Sequence, residues 1–264
     1  MASGSKDNTI KIWNTDNGSL ISTLAGHSLT VWSLAVLPNG YLVSASDDTT
    51  IKIWNTNTSE LIKTLTGHRN WVNALAVLPN GYLATGSHDN TIKIWNTDTG
   101  AEIRTLYGHT DGVWSLAVLQ NGLLASASWD TTIKIWNTDT GSVIRTLTGH
   151  TDWVRSLAVL PNGYLASGSD DATIKIWNTD TGSLIRTLTG HTNWVFSLEV
   201  LPNGYLASGS RDTAIKIWNT DTGSVIRTLK ETDYVYSLAV LPNGYLASGS
   251  RDTTVKIWNT IERV

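Results

Sequence analysis

A hexapeptide of the form Thr-Ile-Lys-Ile-Trp-Asn, seen at Thr50-Ile51-Lys52-Ile53-Trp54-Asn55, returns along the chain with small changes. Its copies end at Asn14, Asn55, Asn96, Asn137, Asn178, Asn219 and Asn259. The spacing is 41 residues five times and then 40. A fixed period of this size marks an array of one supersecondary unit stacked on itself, and it constrains the fold more than any local motif does. The 264 residues hold about six and a half such units.

One unit contains four extended segments, here called strands a to d. Strand a is Val31-Trp32-Ser33-Leu34-Ala35-Val36, and Leu37-Pro38-Asn39-Gly40 then makes a turn. Strand b is Tyr41 to Ser46, and a tight turn at Asp47-Asp48-Thr49 leads to strand c, Thr50 to Asn55. Strand d is Glu60 to Leu65, and Thr66-Gly67-His68 opens the next unit. Apolar and polar residues alternate at period two, β-branched residues dominate, and no helical period appears. Each unit therefore predicts a twisted antiparallel meander, which covers its two faces only by packing against its neighbours around an axis.

The expected fold is an all-β propeller of four-stranded antiparallel blades, forming one domain over residues 1–264. Strands a and d each occur six times, strand c occurs seven times, and Ala2-Ser3-Gly4-Ser5 reads as the tail of a b strand. This count favours six complete blades, with seven as the alternative. The N-terminal strand d (Ser19 to Leu24) is expected to complete the C-terminal a, b and c strands, closing the ring and removing an open edge. One c strand, Thr9 to Asn14 or Thr254 to Asn259, is then surplus. A fragment of a longer array, or exchange of a terminal segment between chains, would also account for the surplus.

Gly26-His27, followed by Trp54 27 residues after the histidine, resembles the Gly-His to Trp-Asp repeat of the WD-repeat β-propeller family, and the resemblance covers essentially the whole chain. Asn stands here in place of the family's usual Asp after Trp. The resemblance implies a hydrogen-bonded tetrad in each unit: Asp48, His27, Ser44 and Trp54; then Asp89, His68, Thr85 and Trp95; Asp130, His109, Ser126 and Trp136; Asp171, His150, Ser167 and Trp177; and Asp212, His191, Ser208 and Trp218. In the sixth unit Lys230-Glu231 replaces Gly-His, so Asp252, Ser248 and Trp258 remain without a histidine. Such a set satisfies a buried indole N–H, a hydroxyl and an imidazole together. The resemblance also implies a non-catalytic scaffold that binds proteins.

Ser, His and Asp at one place suggest a hydrolase, but a set repeated five times at fixed spacing reads as a structural device. No catalytic residue, metal ligand or cofactor is expected; the periodic histidines are far apart in sequence, and His88, the one non-periodic histidine, reads as a surface residue. A net charge of −3 gives no basic excess to neutralise phosphates, so no nucleic-acid partner is expected. The chain has no cysteine, no apolar signal region and no run of membrane-spanning length. The expectation is a soluble cytoplasmic monomer with no membrane contact.

The near-identity of the units makes their differences informative. A meander puts the a–b and c–d loops at one end, where Leu-Pro-Asn-Gly and Asn-Thr-Asp-Thr-Gly recur almost unchanged. At the d–a and b–c end, three positions per unit vary. The residue after the first Val of strand a is Trp32, Asn73, Trp114, Arg155, Phe196 or Tyr236. Two residues before it stand Thr30, Trp71, Gly112, Trp153, Trp194 and Tyr234. The residue before the tetrad Asp is Lys6, Asp47, His88, Trp129, Asp170, Arg211 or Arg251. Exposed loops drift, but drift alone would have altered both ends.

The candidate partner-binding residues are therefore Trp32, Trp71, Trp114, Trp129, Trp153, Arg155, Trp194, Phe196, Arg211, Tyr234, Tyr236 and Arg251. A third to a half of the aromatic rings are expected to be buried against neighbouring blades. Glu199 stands where the other inner strands carry Ala, and faces either the central channel or a nearby cation. The expected function is binding of a protein or peptide segment, with an aromatic cage for a cationic side chain as a narrower form. The alternatives are a recently amplified or engineered array without a dedicated ligand, a carbohydrate-binding propeller with sugars stacked on the rings, and an enzyme using the central channel.

Overall fold

The structure, a computed structural model, describes residues 1–260. These form 26 β-strands, with no helix among the described residues, in seven antiparallel sheets. Five sheets have four strands and two have three. A representative sheet consists of strand a (Val154–Val159), b (Leu165–Ser169), c (Ile174–Asn178) and d (Ser183–Leu188), paired in that order.

Seven sheets stand where six were favoured, and neither terminal c strand is surplus. Ala2–Gly4 pairs with Thr9–Trp13, running from Ala2↔Ile12 to Gly4↔Ile10. The other edge of Thr9–Trp13 pairs with Leu20–Ala25. The N-terminal strand d is thus held in its own sheet and does not complete Val235–Val240, Leu246–Ser250 and Val255–Trp258, which remain three-stranded. The local c–d hairpin closes a loop of a few residues, whereas the expected pairing would close one spanning nearly the whole chain. The first sheet lacks a strand a, and the last lacks a strand d among the described residues.

By contacts, the chain forms two compact units. The first comprises Met1–Val118, Gly122–Ser126 and Trp136–Val143; the second comprises Leu119–Asn121, Ala127–Ile135 and the chain from Ile144 onward. Within each, the core lies between successive sheets. In the first unit, Val43, Ala45, Ile51, Ile53 and Leu65 of one sheet pack with Val72, Leu83 and Trp95 of the next. In the second unit, Ala166, Ile174, Ile176 and Leu188 pack in the same way with Val195, Leu206 and Trp218. The strand-c tryptophan is therefore a wedge driven against the preceding sheet.

That wedge explains the glycine of Gly-His. A Cβ on Gly26 would lie 2.9 Å from the Trp54 ring, and one on Gly67 3.1 Å from the Trp95 ring. In the last repeat, Lys230 occupies the glycine's place and Trp258 is only half-buried. There Val255 is 46% and Ile257 49% exposed, while their counterparts Ile174 and Ile176 are 0% and 2% exposed.

The invariant end is invariant for a mechanical reason. Arg186 of one strand d donates from Nη2 to the Asp221 carbonyl (2.8 Å) and from Nη1 to the Thr222 carbonyl (3.2 Å) in the c–d turn of the next sheet. Arg145 clasps Asp180 and Thr181 in the same way, and in the first unit Lys63 reaches the Asp98 carbonyl at 2.6 Å. A Cβ on Gly182 would lie 2.7 Å from the Arg145 side chain, and Gly182 has φ +81°. These turns are joints between sheets.

Candidate interaction face

The d–a and b–c loops are positioned by the tetrads. In the second sheet, the Trp54 indole N–H donates to Ser44 Oγ (2.8 Å), Ser44 lies 2.7 Å from His27 Nε2, and His27 Nδ1 lies 2.7 Å from Asp48 Oδ2. One proton arrangement satisfies the whole chain: Ser44 donates to Nε2, and Nδ1–H donates to the Asp48 carboxylate. The Asp also accepts the Ser28 N–H (3.0 Å) and the Thr50 hydroxyl (2.6 Å), which pins the d–a loop to the b–c turn. The set recurs at His68–Thr85–Trp95, His150–Ser167–Trp177 and His191–Ser208–Trp218, each with its Asp; His109 and Trp136 share Ser126 in the same manner. These Ser and Thr side chains are fully buried, so their hydroxyls do not face a substrate.

The pKa shifts follow from this geometry. Burial holds His27 below its ordinary 6.5, against the pull of Asp48. Burial alone would raise the Asp212 carboxyl, but the hydrogen bonds from His191, Thr192 and Ala214 together with the His191 charge outweigh it and hold the group near 2. Asp48, Asp89 and Asp171 are lowered in the same sense.

In the last sheet Glu231 occupies the histidine's slot. Ser248 Oγ donates to its Oε1 at 2.5 Å, Lys256 donates to Oε2, and the Trp258 indole donates to Ser248 at 2.8 Å. The sequence showed Glu231 standing in the histidine's place; it did not show that the side chain is buried and takes over the bond to Ser248.

The three variable positions are outside the repeating pairing for identifiable reasons. The a–b ladder skips a residue between Val31 and Ser33, Val72 and Ala74, Val154 and Ser156, Val195 and Ser197, and Val235 and Ser237. Trp32, Asn73, Arg155, Phe196 and Tyr236 are thus bulge residues, turned out of the ladder. The other two positions are tied by a backbone hydrogen bond across the loops. His88 donates to the Trp71 carbonyl, Asp170 to Trp153, Arg211 to Trp194 and Arg251 to Tyr234, at 2.8 to 2.9 Å. Period and propensity carry no signal for a bulge, which belongs to the register of the ladder.

In the first unit the rim is a run of rings. Trp71 lies 4.9 Å from His88, His88 5.4 Å from Trp114, and Trp114 5.7 Å from Trp32. His88, read as an isolated surface residue, is instead part of this run; it fits because Gly112 has no Cβ, which would lie 3.2 Å from its ring. The Trp32 indole donates to Asp47 Oδ1 at 2.5 Å, and burial raises the Asp47 carboxyl.

In the second unit the rim is a ladder of rings and guanidinium groups. Trp129 and Trp153 stack at 3.9 Å with 12° between planes. Arg155 Cζ lies 5.1 Å from the Trp153 ring and 5.2 Å from Trp194. Arg211 follows at 4.1 Å from Trp194 and 5.1 Å from Tyr234, and Arg251 at 4.9 Å from Tyr234. Phe196 lies 5.4 Å from Arg155, and Tyr236 packs on Phe196 at 5.2 Å.

Exposure differs from the expectation. Trp32, Trp71 and Tyr236 are exposed, and the other six aromatics are half-buried. They are covered by one another and by arginine rather than by the core. Arg155 is buried and forms two hydrogen bonds to Asp170, at 2.6 and 2.7 Å. Its charge is spent inside the protein. Arg211 is half-buried and Arg251 exposed, and neither forms an ion pair with a carboxylate among the described residues. Glu199 accepts the Val240 N–H at 3.3 Å, has no ion pair among the described residues, and is raised by burial.

The family model of the WD domain, G-beta repeat (WD40), matches residues 1–14, 18–55, 59–96, 100–137, 141–178, 182–219 and 223–259, each match ending on one strand c. A 40-residue stretch is 48% identical to part of the nuclear distribution protein PAC1 of Coprinopsis cinerea. That stretch is 15% of this chain and spans 9% of the relative's length. With seven matches running from one end of the described residues to the other, the chain belongs to the WD40 family of WD-repeat propellers.

Proposed function

We propose that the chain is a non-catalytic scaffold that captures an acidic protein or peptide segment on the rim of its second unit. WD40 propellers typically serve as protein-interaction scaffolds and typically have no enzymatic role. The observation that carries the narrower reading is the pair Arg211 and Arg251. They lie over rings, at 4.1 Å from Trp194 and 4.9 Å from Tyr234, and neither forms an ion pair with a carboxylate among the described residues. The rings hold the guanidinium groups in place, Arg211 also bonds the Tyr234 hydroxyl, and their other N–H groups are left for a ligand. Acidic side chains accept from those edges, and apolar neighbours in the segment cover the rings.

The test is fluorescence anisotropy with labelled ten-residue peptides in which Glu or Asp alternate with Leu or Phe, against matched Lys-containing peptides. Acidic peptides are expected to bind the intact chain and to lose about tenfold or more with Arg211→Ala or Trp194→Ala, in line with hot-spot magnitudes. Binding that ignores both substitutions, or favours the basic peptides, sinks the reading. Circular dichroism of each variant shows that the sheets are retained.

A further inference from the structure

Asn73 is the bulge residue of Val72–Val77 in the first unit. It is 6% exposed, and neither its Nδ2 nor its Oδ1 has a hydrogen-bond partner among the described residues. Four fully buried hydroxyls of the same unit, those of Ser44, Ser46, Thr85 and Ser87, all have partners. Arg155, at the equivalent position of another repeat and equally buried, is matched by Asp170. A buried amide with both atoms unpaired is unfavourable, and a leucine of similar size would avoid that cost.

What covers Asn73 is equally specific. Val31–Val36 and Val113–Val118 flank Val72–Val77 on its two sides. Trp32, the bulge residue of the first, and Trp114, at the equivalent position of the second, bring their rings together at 5.7 Å across that strand. The Trp32 part of this roof does not belong to the core. Its ring is 39% exposed and is latched to Asp47 by one hydrogen bond.

We propose that Asn73 is the floor of a binding site for an amide group, entered when Trp32 swings away from Trp114. A primary amide presents an N–H donor and a carbonyl acceptor side by side and pairs with both atoms of the Asn73 carboxamide, whereas a trans peptide amide points its N–H and C=O in opposite directions and reaches only one of them. A carboxylate offers only acceptors and an ammonium only donors, so either leaves one Asn73 atom unpaired. The displaced tryptophan then closes over the ligand's apolar part. The amide belongs to an Asn or Gln side chain. This site stands apart from the arginine ladder: loss of acidic-peptide binding leaves it untouched, and the reverse holds.

The experiment is an NMR titration of the intact ¹⁵N-labelled chain with acetamide, N-methylacetamide and acetate. The Asn73 side-chain NH₂ is assigned by its disappearance in Asn73→Leu, and the Trp32 and Trp114 indole N–H signals by Phe substitutions. An amide probe is expected to shift all three groups saturably. Acetate is expected to act at least about tenfold more weakly, as in sites built around a hydrogen-bond pair. N-methylacetamide, a trans amide, is expected to act more weakly than acetamide, and an equal or stronger response to it overturns the two-point pairing. In Asn73→Leu the tryptophan shifts vanish while the midpoint of thermal unfolding rises. Should that variant fail to fold, Asp47→Ala, which unlatches Trp32 and keeps Asn73, is expected to increase the response. The proposal is overturned if acetate matches the amides, if the tryptophan shifts persist in Asn73→Leu, if unlatching Trp32 leaves the response unchanged, or if Asn73 contacts a long-lived water that no probe displaces.

Discussion

Ser167 joins two buried groups, the Trp177 indole N–H at 2.8 Å and His150 Nε2 at 2.7 Å. Ser167→Ala leaves both without a partner and is expected to cost about 1–3 kcal/mol, read as a lower urea midpoint at unchanged m value. Titration of the tetrads gives a second expectation. His27 has a folded pKa below its ordinary 6.5, so its contribution is present above 6.5 and is lost as pH falls through the folded value. Asp212 is held near 2 against an ordinary 3.8, so its contribution is present above 3.8 and is lost as pH falls toward 2. Urea midpoints should therefore fall in two stages on acidification, one beginning near pH 6.5 and one near pH 4. His27→Gln should flatten the first stage, and a midpoint constant from pH 7 to 5 would contradict this account. The tetrad members were legible because residue type and spacing recur. The bonds Glu231 makes to Ser248 and Lys256 and the unpaired amide of Asn73 were not, since each depends on what surrounds one side chain.

Among the elements, strand c shows how position in the array sets the value of a residue. Ile174→Ala opens a cavity in a closed core and is expected to cost about 2–5 kcal/mol. Ile257→Ala removes a side chain that is already 49% exposed, and is expected to cost less than half as much; paired denaturation curves decide. The b–c turns hold a different reserve. Thr213 has φ +66°, a region that β-branched residues enter at a cost, while Asn8 and Asn90 fill the same place with a residue suited to it. Thr213→Asn is expected to raise stability by roughly 0.5–1 kcal/mol, measured by the same curves. Alternation at period two was enough to place the strands. The bulges at Trp32, Asn73, Arg155, Phe196 and Tyr236 were hidden, because one extra residue leaves the alternation on either side intact.

At the scale of the molecule, the number of sheets was misjudged because a count of strands says nothing about which strands pair. The seven c strands did match the seven sheets; the six a and six d strands suggested six. An array held together mainly by neighbour contacts loses stability locally. After Ile174→Ala, hydrogen exchange should quicken most in Leu165–Ser169, Ile174–Asn178 and Ser183–Leu188, and least in the strands of the first unit. Uniform acceleration would mean that the array unfolds as one cooperative block.

The bulge has a consequence for where such a chain carries variety. A residue turned out of the ladder can differ in size and polarity without disturbing the register of the strands beside it, whether it is exposed, as Trp32 is, or buried, as Asn73 and Arg155 are. Trp, Asn, Arg, Phe and Tyr all sit there in a single molecule. The units are near copies that differ chiefly at such positions and in the loops beside them, so a uniform scaffold carries a different chemistry at each bulge. The chain is in effect a set of cassettes in which the variable chemistry is set apart from the pairing that holds the strands together.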